Sequence, residues 1–171
     1  VGAVKILHVV GFKDSGKTTL ISRWVRLLKS EGLTVSVLKH HGHASSLDMP
    51  NENTDGMQFL NNGADMSLVA GAGTAQLLLN EEPSFAQLVH MATLNNPDVL
   101  LIEGYKSEQG NKVVIVRDEK DWQALQQLSG IQFVIGHGKM NLHVDVIDRA
   151  EKSQVDDWFL QWVKEDGHEA I

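Results

Sequence analysis

Between Lys5 and Lys29 the chain runs from an apolar, β-branched segment through Gly11-Phe12-Lys13-Asp14-Ser15-Gly16-Lys17-Thr18 into a stretch with helical apolar spacing. The middle segment fits G-x-x-x-x-G-K-[ST] at every fixed position. A chance match somewhere in a chain of this length has a probability of about one in a hundred or less. Here the match also lies between a strand pattern and a helix pattern, where the chemistry needs it. Gly11 and Gly16 free the backbone to aim successive N–H groups at phosphate oxygens, and the helix that follows adds its positive end. Lys17 then reaches the β and γ phosphates, and the Thr18 hydroxyl is placed to ligate Mg²⁺. With Asp14 and Ser15 these residues form the expected phosphate-binding set, Lys17 serving catalysis as well.

The rest of the chain supplies strands and helices in alternation. Lys5 to Val10 reads as a buried strand, and Gly16 to Lys29 as a helix with Leu20, Ile21, Trp24, Val25, Leu27 and Leu28 on its apolar stripe. Gly32 stops it. Thr34 to Leu38 is a second strand, and Lys39 to Asn53 a polar loop. Thr54 to Asn61 is a short helix. Met66 to Ala70 and Ala75 to Leu79 form a hairpin around Gly71 and Gly73, and Pro83-Ser84 opens a helix to about Leu94. Asp98 to Ile102, Val113 to Val116, Ile131 to Ile135 and Val144 to Ile147 are further strands. Asp121 to Leu128 and Ser153 to Lys164 are helices, the last with Val155, Phe159, Trp162 and Val163 on one side.

This alternation predicts an α/β fold: one three-layer P-loop NTPase domain over residues 1–171, with a mainly parallel sheet and a β-hairpin insertion. Ligands in such sheets sit at the carboxyl ends of the strands, which singles out the loops after Val10, Leu38 and Ile102.

Composition removes several chemistries. There is no cysteine, which excludes disulfides, thiolate metal sites and cysteine nucleophiles. The net charge of -7 argues against nonspecific nucleic-acid binding. No apolar run reaches the ~18 residues that a membrane span requires. The N-terminal residues lack a signal-peptide layout, so the expected location is the cytoplasm.

Two other segments carry candidate chemistry. Val99-Leu100-Leu101-Ile102-Glu103-Gly104 is an apolar strand ending in a carboxylate, the acid that a site of this kind needs opposite Thr18 to hold Mg²⁺ directly or through water. Lys106 follows, suited to phosphate or to solvent. Lys39-His40-His41-Gly42-His43 comes after the second strand, with Asp48 and Asp55 downstream. His40 and His43, or His41 and His43, are spaced so that a pair can share a metal. The same side chains suit phosphate or substrate, and the composition also fits an ordinary solvated loop; all three readings stay open. Asp48 and Asp55 are candidates for the outer Mg²⁺ shell or for orienting a water. Two segments are set aside. Asn111-Lys112-Val113-Val114 begins like the guanine-reading N-K-x-D, but Val114 is not an acid. Lys13 stands one position late for the extra lysine of MinD-like ATPases, where this chain has Phe12. Arg23, Arg26, Arg117 and Arg149 read as solvated rather than as an arginine finger.

Taken together, GFKDSGKTTL, KHHGH, the loop with Asp55 and Gly63-Ala64, and LLIEGYK resemble the MobB family of molybdopterin-guanine dinucleotide biosynthesis proteins over roughly residues 5 to 117. The resemblance implies a GTP-binding, weakly hydrolysing, usually dimeric protein that assists a MobA-like nucleotidyltransferase of molybdenum cofactor biosynthesis. By position it implies phosphate contacts at Gly16, Lys17, Thr18 and Thr19 and Mg²⁺ at Thr18 and Glu103. Lys39, His40, His43 and Asp55 would line the neighbouring face, Asp55 with a catalytic part. One departure is that many family members carry basic residues where this chain has Gln58 and Phe59. A metallochaperone-type GTPase with a metal site in the histidine loop is the alternative, and a small-molecule kinase using Asp48 or Asp55 as base ranks third. Apolar surface for a dimer is expected from Val1 to Val4 and the Trp-bearing last helix.

Overall fold

The computed structural model describes residues 3–42 and 46–165. The chain divides into two compact units, residues 1–40 with 89–171, and residues 41–88.

The first unit is built on a six-stranded sheet in which every pairing is parallel, in the order β2-β5-β1-β6-β7-β8. The strands are β1 (Lys5–Val10), β2 (Val35–Lys39), β5 (Val99–Glu103), β6 (Asn111–Val116), β7 (Ile131–Gly136) and β8 (Val146–Asp148). The expected mainly parallel sheet is therefore found. Helices α1 (Lys17–Ser30) and α5 (Lys152–Lys164) cover one face, and α4 (Glu119–Leu125) the other. Alternate residues of one strand feed both faces. Leu7 and Val9 join Val113 and Ile115 in the larger core, while Val10 joins Val114 and Val116 in the smaller one. Strands buried on both sides have to be apolar throughout, which is why β5 and β6 read as unbroken hydrophobic runs.

The aromatic residues lock α1 to α5. Trp24 and Phe159 stack with ring centroids 4.0 Å apart, and Asp156 accepts from Trp24 Nε1 and Arg23 Nε at 3.1 and 3.0 Å. Trp162 is buried beside them, and Trp158 stacks on Phe133 at 4.3 Å. The apolar side of the last helix thus closes this core and is not left as free surface, correcting the expectation from its amphipathic pattern. Val1 and Gly2 lie outside the described residues.

Element ends move from their expected positions for local reasons. Helix α4 starts at Glu119 because the Asp118 side chain caps it, accepting from Asp121 N at 2.9 Å. Strand β6 starts at Asn111 because Lys112, wholly buried, is held there. Its ammonium donates to the carbonyls of Glu108, Gly110 and Ser129 at 2.6, 3.2 and 3.0 Å. Asn111 and Lys112 sit at the amino end of a parallel strand, opposite the end where such sheets bind ligands. The partial N-K-x-D match is structural.

The second unit holds α2 (Asp55–Asn61) and the antiparallel pair β3 (Met66–Gly71) and β4 (Thr74–Leu79). The two-residue turn puts both Ala72 and Gly73 at positive φ, 48° and 81°, the conformation that matches strand twist in tight hairpins. Helix α2 covers the hairpin face that carries Ser67 and Val69, with Met57 and Leu60 buried. The opposite face presents Met66, Leu68 and Leu77, all exposed. Helix α3 (Phe85–Ala92) straddles the division between the units. Among the described residues no helix is long and apolar enough to cross a membrane.

Candidate functional site

The loop after β1 folds into a cradle that requires its glycines. A Cβ at Gly11 would lie 2.7 Å from both the Ile115 carbonyl oxygen and Ser15 Oγ. Gly16 caps α1 at φ 97°, where a side chain is strained. No side chain caps that helix end and no acidic residue lies in its first turn. The unsatisfied N–H groups and the positive pole are therefore left for an anion.

Four side chains meet above this loop. Thr18 Oγ1, in the first turn of α1, donates to Glu103 Oε2, at the end of β5, at 2.9 Å. Lys39, ending β2, places its ammonium 3.2 Å from Glu103 Oε1 and 3.4 Å from Thr18 Oγ1. Lys17 Nζ donates to the Phe12 carbonyl at 2.7 Å. Burial pulls the Lys17 ammonium below its usual pKa, while the Glu103 charge works the other way. The hydroxyl and the carboxylate thus converge on one point, already filled by a positive charge from Lys39. That is the donor chemistry a hard divalent cation such as Mg²⁺ takes, so these residues fit the ion.

The rim is held by residues around Phe12 and Gly104. Lys106 Nζ and the Arg117 guanidinium lie over the Phe12 ring, 5.3 and 5.7 Å from its centroid. Arg117 also grips Asp121 with two nitrogens, at 2.7 and 2.8 Å, and donates to the Lys13 carbonyl at 3.1 Å. His40 N donates to the Glu103 carbonyl at 2.9 Å, and its ring packs against Tyr105 with centroids 4.6 Å apart. Beneath, His8 is fully buried on β1 with Nδ1 3.3 Å from the Gly104 carbonyl. Desolvation pushes its pKa down to about 4, against the opposing pull of that carbonyl. His8 stays neutral near neutral pH.

Sequence reasoning therefore finds Gly11, Asp14, Ser15, Gly16, Lys17, Thr18, Thr19, Lys39, His40 and Glu103 within one unit, at the carboxyl ends of β1, β2 and β5. His43 lies outside the described residues. Asp48 and Asp55 are exposed and belong to the second unit, Asp55 as the first residue of α2. Among the described residues no group of three or more His, Asp or Glu is gathered as a metal cluster.

Two more residues reach the cradle: His137, which the sequence does not single out, and Arg149, which reads there as solvated. His137, after β7, places Nε2 2.9 Å from the Ser15 carbonyl, and Arg149, after β8, places Nη1 3.0 and 3.4 Å from the two nitrogens of that ring. The carbonyl only accepts, so Nε2 carries the proton and the guanidinium is left the longer contact to Nδ1. The signal that finds them is positional: both follow a strand at its carboxyl end. Of the four arginines, Arg26, Arg117 and Arg149 are exposed as expected and Arg23 is half-buried; Arg23 pairs with Asp156 at 2.8 Å and Arg117 with Asp121.

Comparison with known proteins matches residues 6–137 to the family model "Molybdopterin guanine dinucleotide synthesis protein B". A Bacillus subtilis protein described as a "probable molybdopterin-guanine dinucleotide biosynthesis adapter protein" is 37% identical over 129 residues, 75% of each chain. An Escherichia coli molybdopterin-guanine dinucleotide biosynthesis adapter protein is 24% identical over 168 residues, 94% of each. Among solved structures, Bacillus subtilis MobB superposes with a TM-score of 0.81 at 31% identity, covering 95% of this chain and 99% of that one.

Proposed function

The chain belongs to the molybdopterin-guanine dinucleotide synthesis protein B family, and from that premise we propose that it is a GTP-binding adapter in molybdopterin-guanine dinucleotide biosynthesis. In this reading it is a cytoplasmic protein that hydrolyses GTP slowly with Mg²⁺ and assists a MobA-like nucleotidyltransferase. The observation that carries the nucleotide part is the Thr18–Glu103 hydrogen bond over the Gly11 cradle, with Lys17 and Lys39 beside it.

The steps follow from the side chains. The backbone N–H groups of the loop and the start of α1 bind the phosphate chain. Lys17 leaves the Phe12 carbonyl for phosphate oxygens, where its charge counters the charge that builds up during transfer. Thr18 and Glu103 would hold Mg²⁺, which supplies charge neutralisation on the terminal phosphates. Lys39 is displaced from that position and becomes available to the phosphates. The Glu103 carboxylate, committed to Thr18 and the ion, would be no free base, and Arg23 and Arg117 are tied to carboxylates. Such a site binds well and turns over slowly, below the typical 1–10³ s⁻¹.

The resemblance also implies a homodimer, and the bare hairpin face with Met66, Leu68 and Leu77 supports that reading. Calorimetric titration of GTP, GDP and ATP with Mg²⁺ into the chain and its Lys17→Ala variant tests the core proposal. We expect GTP and GDP to bind and Lys17→Ala to weaken both by about a hundredfold, the loss of a charge-assisted contact at ~1.5–3 kcal/mol. Tight ATP binding without GTP binding would sink it. Co-purification with the cognate nucleotidyltransferase tests the adapter role.

A further inference from the structure

A cavity of about 130 Å³ opens beside the cradle and shares Ser15, Gly16 and Thr19 with it. Pockets that enclose a whole ligand run to ~300–1,000 Å³, so this space suits one part of a larger molecule. Leu20, Ile135 and Val155 give it an apolar lining, and Arg149 and Lys152 give it cationic donors. Arg23 also lines it, but its charge is met by Asp156. Among the described residues no carboxylate pairs with Arg149 or Lys152, and no acidic side chain lines the cavity. Arg149 Nη1 stands 3.9 Å from where a Gly16 Cβ would be, so its fork lies at the edge of the cradle itself.

We infer that this cavity receives the base of the nucleotide whose phosphates occupy the cradle, and that Arg149, with Lys152, selects a 6-oxopurine. The inference rests on the nucleotide reading above. An apolar wall suits the face of a flat ring, and a donor-only rim suits an edge that carries acceptors. Guanine offers two there, O6 and N7, the pair that arginine or lysine reads. Hypoxanthine keeps both. Adenine puts its N6 amine, a donor, beside N7, and an amine facing a guanidinium leaves two donors without an acceptor. The other edge of guanine, N1–H and the 2-amino group, is matched by a carboxylate that accepts from both at once, and no carboxylate lines the cavity. The site therefore reads the 6-oxo group and is blind to the 2-amino group.

Calorimetry on the intact chain with Mg²⁺ tests this, using GDP, IDP, ADP and inorganic tripolyphosphate. GDP and IDP should bind within about twofold of each other, and ADP roughly tenfold or more weaker. Arg149→Ala should bring GDP and ADP together, and Arg149→Lys should fall between, because it keeps the charge and loses the fork. Tripolyphosphate binding reports that each variant still folds its cradle. Equal GDP and ADP affinities in the unaltered chain, a GDP preference that survives Arg149→Ala, or IDP binding far weaker than GDP would each overturn the base assignment and leave the phosphate site standing. If neither tripolyphosphate nor any nucleotide binds, the nucleotide reading fails and takes this inference with it.

Discussion

Strand β5 of the first unit is buried at all five positions, whereas β3 of the second is buried at one of six. Both are apolar in composition, and the difference lies in what covers them. β5 sits inside a sheet with strands on both edges and helices on both faces. β3 has one partner strand and one covering helix, so Met66 and Leu68 remain 54% and 63% exposed. A two-stranded hairpin is marginal alone in water. Apolar character in the first unit is thus explained by the fold that contains it, whereas one hairpin face of the second carries apolar residues that the fold leaves exposed.

That contrast can be broken at its strong end first. Leu101→Ala, in the fully buried β5, should cost about 2–5 kcal/mol by urea unfolding. A loss below about 1 kcal/mol would show that β5 is not the rigid centre that its burial implies. Next is the buried histidine. The His8 pKa is about 4 in the folded chain and 6.5 in the reference state, so the unfolded chain takes up the proton first as pH falls. Stability should then fall between about pH 6.5 and pH 4, by on the order of 3 kcal/mol from this group, and level off below. Urea midpoints across that range should flatten in His8→Asn; an unchanged slope would mean other groups set it. The smallest effect belongs to the hairpin. Leu68→Ala should change the stability of dilute protein by no more than about 0.5 kcal/mol. Leu68→Glu should weaken self-association in sedimentation experiments, and a variant that associates as strongly as the parent removes the bare face as the contact.

What could be read from the sequence follows how local each cause is. The cradle is one continuous segment with fixed spacing, and Glu103 ends an apolar run, so both were visible. The hairpin was visible as two strand-like segments around Gly71 and Gly73. His137 reaches Ser15 across 122 residues, and a single histidine in a polar loop has no spacing to mark it. Arg149 reads as solvated and is exposed, but no spacing in the sequence ties it to His137. The last helix misled differently. Its amphipathic pattern showed that one face is covered but not by what, and Trp24 and Phe133 from the same unit are the cover.

Lys112 gives the far end of the sheet a property of its own. Three carbonyl oxygens converging on one ammonium make the coordination shell of a monovalent cation, with the cation supplied by the chain and tethered to it. Such a cation cannot be exchanged, diluted or replaced by another from the medium. The turns at Glu108 to Gly110 and at Ser129 should therefore hold equally well in sodium, potassium or salt-free buffer.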